Sequence, residues 1–248
     1  MTSAGLDVGS RTIGLVLFDG GVVDSVVKDT GIKPLERCQQ LLNGRSYNRL
    51  VVTGYGRHLV APLLGGEVIS EISAYAAGAH YLYPDSGTVI DIGGQDSKVI
   101  RLSDQGAVVR FEMNDRCAAG TGKFLEVMAH TLEVGLSEFA ELALSASKFV
   151  QINSLCTVFA ESEVVSLIAR GEEASAIALA LHQAVAKRIT GMVHRVGLKE
   201  RVIFAGGVAR NRCLNELLGD ILGVEITVPS EPQIVGALGA ALMAGDGI

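Results

Sequence analysis

The sequence predicts an α/β fold in which two sheet-centred lobes enclose a cleft, and three observations carry that expectation. Short apolar strands and longer segments of helical periodicity intermix along the whole chain. Two strand–turn–strand units, Gly5-Leu-Asp-Val-Gly-Ser10 followed by 13–18 and Val89-Ile-Asp-Ile-Gly-Gly-Gln-Asp96 followed by 98–102, share one plan. In each, an Asp closes an apolar strand, the chain turns on glycine, and a second apolar strand returns, which is a β-hairpin signature. Asp91 lies 84 positions after Asp7, so the plan reads as an internal duplication that opens each lobe.

The elements follow in order. Strands are expected near 3–8, 13–18, 22–28, 50–53, 88–92, 97–102, 107–112, 201–205 and 224–228. Helices are expected near 34–42, 71–80, 118–133, 137–145, 158–170, 173–196, 210–219 and 234–244. The turn Pro84-Asp-Ser-Gly87 marks the boundary, which gives a first lobe over 1–85 and a second over 86–231. A C-terminal helix at about 232–246 is expected to pack back on the first lobe and close the base of the cleft.

Bulk properties narrow the function. With 48% hydrophobic and 19% charged residues, 248 residues suffice for a large core and do not describe a disordered chain. A net charge of −6 argues against nucleic acid as the main partner. No basic-then-apolar leader opens the chain. The apolar stretch 174–185 is too short to span a bilayer and contains His182 and Gln183, so a cytoplasmic protein without a membrane partner is expected.

Four cysteines in such a protein suggest chemistry or metal ligation more than disulfides. Cys38 and Cys213 fall in amphipathic segments and read as small semi-buried hydrophobes rather than ligands. Cys117, in Asn114-Asp-Arg-Cys-Ala-Ala-Gly-Thr-Gly122, and Cys156, in Ser154-Leu-Cys-Thr-Val-Phe-Ala-Glu-Ser-Glu163, each read as lying at the mouth of a helix. There the dipole and free N–H groups favour a thiolate, the form that soft metals and iron–sulfur clusters bind. Thr121 and Thr157 can donate to sulfur or cap these helices, and capping is the expected role. Two ligands are half of the usual four, so a metal centre would draw the other pair from a second copy of the chain.

The glycine junctions suggest phosphate chemistry. Asp7 and Asp91 suit the water shell of Mg²⁺, and the glycines beside them let backbone N–H groups approach phosphate oxygens. Gly93 and Gly94 precede Gln95, which can orient an attacking water, and a second carboxylate, Asp96. A third junction, Ala205-Gly-Gly-Val-Ala-Arg-Asn211, leads from a strand into a helix.

These motifs resemble a known superfamily. Asp7-Val-Gly-Ser-Arg-Thr12 resembles the first phosphate motif of the actin, hexokinase and Hsp70 superfamily, Asp91-Ile-Gly-Gly-Gln-Asp-Ser-Lys98 its second, and the Ala205–Asn211 segment its adenosine motif. Gly236-Ala-Leu-Gly-Ala-Ala-Leu242 resembles the small-residue helix that joins its lobes. The resemblance implies an actin-like ATPase fold of duplicated ribonuclease H-like subdomains, with ATP in the cleft and hydrolysis changing the lobe angle. It implies nucleotide contacts from Gly9, Ser10, Arg11, Thr12, Gly93, Gly94, Gly206, Gly207, Asn211 and Gln233, with Asp7, Asp91, Gln95 and Asp96 in the catalytic set. With Gly54-Tyr-Gly-Arg57 and the two cysteine motifs added, the whole chain resembles the activators of 2-hydroxyacyl-CoA dehydratases, which include ATPase subunits of benzoyl-CoA reductase. That resemblance implies a homodimer sharing one [4Fe–4S] cluster on Cys117 and Cys156 of each subunit. It also implies a ferredoxin or flavodoxin as donor and a dehydratase or benzoyl-CoA reductase-type component as acceptor. The family's first loop reads Gly-Ser-Thr with a lysine three residues on, where this chain reads Gly9-Ser-Arg-Thr-Ile-Gly14.

Two other readings stay open on the residues alone. One is a sugar or carboxylate kinase of the same fold, with Asp96 drafted as base. The other is a Zn-bridged dimer in which Cys117 and Cys156 are structural. The acids Glu161 and Glu163 follow Cys156 in the first helical turns, and Arg116 stands beside Cys117. The five histidines show no ligand spacing.

Overall fold

Two five-stranded sheets form, and each repeats the topology of the other. The computed structural model describes residues 1–154 and 156–245. In the first sheet β1 (Ser3–Val8) is central, antiparallel to β2 (Thr12–Phe18), which pairs with β3 (Val22–Asp29). On its other side β1 runs parallel to β4 (Arg49–Thr53), which pairs with β5 (Glu67–Val68). In the second sheet β6 (Thr88–Ile92) is central, antiparallel to β7 (Ser97–Leu102) and then β8 (Val108–Asn114), and parallel to β9 (Val202–Ala205) and then β10 (Ile226–Thr227). The order β3-β2-β1-β4-β5 thus maps onto β8-β7-β6-β9-β10. Every residue of β1 and β6 is buried, as strands covered on both faces must be.

Nine α-helices are found among the described residues: α1 (Pro34–Leu42), α2 (Arg57–Leu64), α3 (Glu71–Leu82), α4 (Gly122–Thr131), α5 (Leu136–Leu144), α6 (Thr157–Ala169), α7 (Ala174–Val196), α8 (Arg212–Leu222) and α9 (Val235–Gly245). The first core gathers Leu6, Leu15, Cys38, Leu41 and Val60 beneath α1 and α2. The larger second core gathers Phe124, Phe139, Leu181, Phe204 and Cys213 among α4 to α8. Cys38 and Cys213 are buried there, and burial pushes their thiols up to about 11 and about 12, so they act as packing groups.

α3 and α9 form the layer between the sheets. α3 lays Tyr75, Ala76 and Ala79 on Val89, Ile100 and Ile203 of the second sheet. α9 lays Ala237, Leu238 and Ala241 on Val16 of the first. The two helices touch at backbone distance, since a Cβ on Gly78 or Gly239 would run into the other helix's main chain. Residue 246 of the expected C-terminal helix lies outside the described residues. No helix among the described residues is long and apolar enough to cross a membrane.

The sequence misses two elements and displaces a third. α2 and β5 were not expected, because Gly54, Gly56, Pro62, Gly65 and Gly66 crowd one short segment and Pro62 lies inside the helix. The helix expected from 118 begins at Gly122, because Gly120 takes a φ of +82° that no helix continues through.

Candidate functional site

The duplicated hairpins place Asp7 and Asp91 at matching points of the two sheets. Asp7 pairs with Gly14 and Thr53 in register, Asp91 with Lys98 and Ala205. The chain leaves β4 and β9 through Gly54 (φ +90°) and Gly206 (φ +84°). A Cβ on Gly54 would collide with Asp7 Oδ1, and one on Gly206 with Asp91 Oδ1. Only glycine satisfies both the dihedral and the space, so the carboxylates lie directly against bare backbone.

Lys98 breaks the symmetry. Its side chain is 1% exposed, and its ammonium sits 2.9 Å from Asp91 Oδ2, 2.8 Å from Asp96 Oδ2 and 2.8 Å from Glu71 Oε2. Glu71 also meets Arg57 Nη1 at 3.1 Å, and Tyr75 donates to Asp7 Oδ2 at 3.2 Å. Burial, then repulsion by Glu71 and Asp91, lifts Asp7 from 3.8 to about 7 against the pull of Lys98. Burial likewise lifts Asp91 to about 6. For Lys98 burial works against the charge, but the surrounding carboxylates outweigh it and hold the ammonium well above its ordinary value. Asp91 Oδ1 is buried with no hydrogen-bond partner. An orphaned carboxylate oxygen in a carboxylate-rich pocket is chemistry that fits a hydrated Mg²⁺, with Asp7 and Asp91 holding its waters.

A cavity of about 530 Å³ opens over these groups, within the range of small-ligand sites. All the catalytic and nucleotide candidates line it: Asp7 with Gly9, Ser10, Arg11 and Thr12; Asp91 with Gly93, Gly94, Gln95 and Asp96; and Gly206, Gly207, Asn211 and Gln233. Leu136, Ala140 and Glu141 of α5 extend it at the Asn211 end. Asn211 caps α8 by accepting from Leu214 N at 3.0 Å, which leaves its amide nitrogen to donate to His182 Nε2 at 3.0 Å. His182 Nδ1 therefore carries the proton and donates to Ala178 O at 2.7 Å, and burial pulls this imidazole down to about 4.

Cys117 and Cys156 are exposed and outside the cavity. Cys156 is the N-cap of α6, but Cys117 stands ahead of α4 in a loop, which corrects the expected placement at a helix mouth. That loop is held by Asn114, whose Nδ2 donates to Cys117 O at 2.8 Å and Ala119 O at 3.1 Å. The first N–H groups of α4 point elsewhere: Gly122 donates to Gly93 O at 2.9 Å and Lys123 to Gly94 O at 2.8 Å. The N-terminal end of α4 thus rests on the Gly93–Gly94 turn. Neither threonine caps by side chain: the Thr121 hydroxyl donates to Ala118 O, and Thr157 is already inside α6. Glu163 accepts from Asn153 N at 3.1 Å and Ser154 N at 3.0 Å, tying the segment ahead of Cys156 onto α6.

Lys98, Glu71 and His182 escaped the sequence reading. For Lys98 a signal existed: the hairpin register sets it directly opposite Asp91, and a lysine inside an apolar strand needs a buried counter-charge. Glu71 takes Lys98, and His182 takes Asn211, from distant segments, which no local pattern reveals.

The profile of the BadF/BadG/BcrA/BcrD ATPase family matches residues 4–244. The 2-hydroxyisocaproyl-CoA dehydratase activator of Clostridioides difficile is 40% identical over 99% of this chain and 96% of its own. The (R)-2-hydroxyglutaryl-CoA dehydratase activating ATPase of Acidaminococcus fermentans is 42% identical over 97% and 95%. The solved structure of the Clostridium difficile activator with bound ADPNP superposes with a TM-score of 0.91 at 40% identity, covering 99% of this chain and 95% of that one. A ROK family glucokinase from Streptomyces griseus matches at a TM-score of 0.62 and 13% identity, which speaks for the shared actin-like fold alone. With mirrored sheets, paired cleft aspartates and a match that runs nearly end to end, the chain belongs to the BadF/BadG/BcrA/BcrD ATPase family.

Proposed function

We propose that the protein hydrolyses ATP and uses the resulting lobe motion to deliver a low-potential electron to a 2-hydroxyacyl-CoA dehydratase or a benzoyl-CoA reductase-type component. The observation that carries this reading is the pair of hydrogen bonds from Gly122 and Lys123 to Gly93 and Gly94. Through them a movement of the second phosphate loop moves α4, and with it the loop that ends at Cys117.

At the nucleotide site the backbone of Gly9, Ser10, Gly93 and Gly94 cradles the phosphates, with Arg11 and Thr12 at the same loop. Asp7 and Asp91 hold the water shell of Mg²⁺, which supplies charge neutralisation on the phosphates when bound. Gln95 or Asp96 orders the attacking water, and Lys98 fixes Asp96 and Asp91 relative to each other. Gly206, Gly207, Asn211 and Gln233 receive the nucleoside end.

Cys117 and Cys156 bring two exposed thiols to segments leading into α4 and α6, which pack on one another. Two thiols fit half of a [4Fe–4S] cluster and leave the other half to a second subunit; the cluster supplies the one-electron carrier. Val158, Phe159, Val165 and Ile168 are exposed apolar side chains on α6 beside Cys156, and their burial against a second copy supports the homodimer in this reading. Reduced ferredoxin or flavodoxin is the donor, and the cytoplasm the compartment.

The test is an anaerobic preparation with iron and sulfide counted per dimer. About four of each per two chains is expected, falling to background in Cys117→Ser. Zinc in place of iron would refute the cluster half, and electron transfer to the acceptor that ignores a non-hydrolysable ATP analogue would refute the coupling.

A further inference from the structure

One ion pair spans the mouth of the cleft. Arg11, in the β1–β2 turn of the first lobe, sets Nε 3.0 Å from Oε1 of Glu126 on α4 of the second lobe. Both side chains line the cavity, Arg11 64% exposed and Glu126 25%. Lys123 Nζ lies 3.5 Å from the other oxygen of Glu126. Behind the pair the phosphate loops touch: a Cβ on Gly94 would lie 2.9 Å from Ser10 Oγ and 3.0 Å from Arg11 Cβ. The guanidinium that the sequence offers to phosphate is thus engaged by a carboxylate of the opposite lobe, at the edge of the space a polyphosphate would fill. A guanidinium binds phosphate at least as well as carboxylate, through the same planar fork, so the two compete for it.

We propose that Glu126 is a positioning residue for Arg11, holding it across the cleft mouth until the terminal phosphate of a nucleoside triphosphate takes it. The exchange releases α4 from the β1–β2 turn. Lys123 stays one turn away on the same helix, so Glu126 keeps a counter-charge after Arg11 leaves. A diphosphate, one phosphoryl group shorter, leaves the pair closed. Glu126 therefore lowers the preference for triphosphate over diphosphate, because only the triphosphate has to displace it. The proposal rests on the ATP-site reading above.

The test is calorimetric binding of AMPPNP and of ADP to wild type, Glu126→Gln, Arg11→Ala and the double variant, with scattering of the nucleotide-free proteins. Glu126→Gln should bind AMPPNP about three- to tenfold more tightly, the range for losing a part-exposed competing pair beside an anion, and ADP within about twofold of wild type. Arg11→Ala should weaken AMPPNP and abolish the effect of Glu126→Gln in the double variant. Nucleotide-free Glu126→Gln should scatter as a more open particle. An unchanged AMPPNP affinity in Glu126→Gln, or the same gain with Arg11 absent, would overturn the proposal. Wild type that binds neither nucleotide would instead overturn the ATP-site reading, and the proposal with it.

Discussion

Replacing Lys98 with methionine removes one buried positive charge and keeps most of the apolar stem, so the cavity contribution is small. What remains is electrostatic. Asp91 at 1% exposure, Glu71 at 11% and Asp96 at 15% lose their shared partner, and Arg57 compensates Glu71 alone. Breaking a buried ion pair by deleting one member costs about 3–5 kcal/mol. For a chain of this size each kcal/mol lowers the melting temperature by roughly 2–4 °C, so the variant should melt about 6–20 °C below wild type at pH 8 in chelator. The pH dependence has a definite sign. Lys98 lowers the carboxyl groups of Asp7 and Asp91, which burial has raised to about 7 and about 6. Without it their folded-state values rise further. A raised folded value gives stability that is present at low pH and lost as pH rises through it, so the deficit is largest above pH 7 and shrinks towards pH 5. Circular dichroism melts across that range decide the matter. A loss under about 2 °C at pH 8, or a deficit that grows on acidification, would refute the account of Lys98 as the counter-charge of the cleft.

Other perturbations separate the remaining parts. His182 is held neutral with a value near 4 against 6.5 unfolded, a gap worth about 3 kcal/mol at about 1.4 kcal/mol per pH unit. Its stabilising effect is present above 6.5 and lost as pH falls through about 4, so denaturant titrations of wild type and His182→Gln should converge on acidification. Glu163→Gln weakens the charge-assisted bonds to Asn153 N and Ser154 N, and hydrogen exchange at these two amides should quicken by about tenfold while the core is unaffected. Gly54→Ala must bear both a φ of +90° and a clash with Asp7, whereas Gly44→Ala, at +76° with open space around it, bears strain alone; Gly54→Ala should therefore melt lower than Gly44→Ala. Gln95→Ala should slow ATP turnover by about tenfold or more and leave ADP affinity near wild type, measured by phosphate release and calorimetry.

Much of this architecture was legible because the chain says it twice. The Asp-x-Gly hairpins predicted two sheets, and each central strand carries its Asp near the cleft end. The long helix expected over 173–196 is α7, Ala174–Val196, since periodicity is clearest in long segments. What escaped has identifiable causes. α2 hides behind two glycines and a proline, and is set by Val60 and Ala61 packing into the first core. The pairing of Gly54 with Gly206 is invisible locally, because Gly54-Tyr-Gly-Arg57 and Gly206-Gly-Val-Ala-Arg210 share only a backbone need beside an Asp. Cys117 misled because its neighbours Ala118 and Ala119 are good helix formers, yet Gly120 and the Asn114 side chain impose a loop.

The duplication also explains why the two lobes can play unequal parts. The position opposite Asp7 is Gly14, which lets α9 and Gln233 O come close to β2. The position opposite Asp91 is Lys98, which gathers three carboxylates, one of them from α3. At the position opposite its aspartate, β2 thus offers bare backbone, while β7 offers the lysine at the centre of a charge cluster that takes Glu71 from α3 and whose loop is hydrogen-bonded to α4. In the proposed function a phosphate entering between them would meet the exposed Arg11 on one side and, on the other, the buried Lys98 with Asp91 and Asp96. In the proposed function, movement at Gly93 and Gly94 would pass to α4 through the bonds from Gly122 and Lys123. Cys117 stands ahead of α4, and α6, which follows Cys156, packs on α4, so both proposed cluster ligands lie along that path.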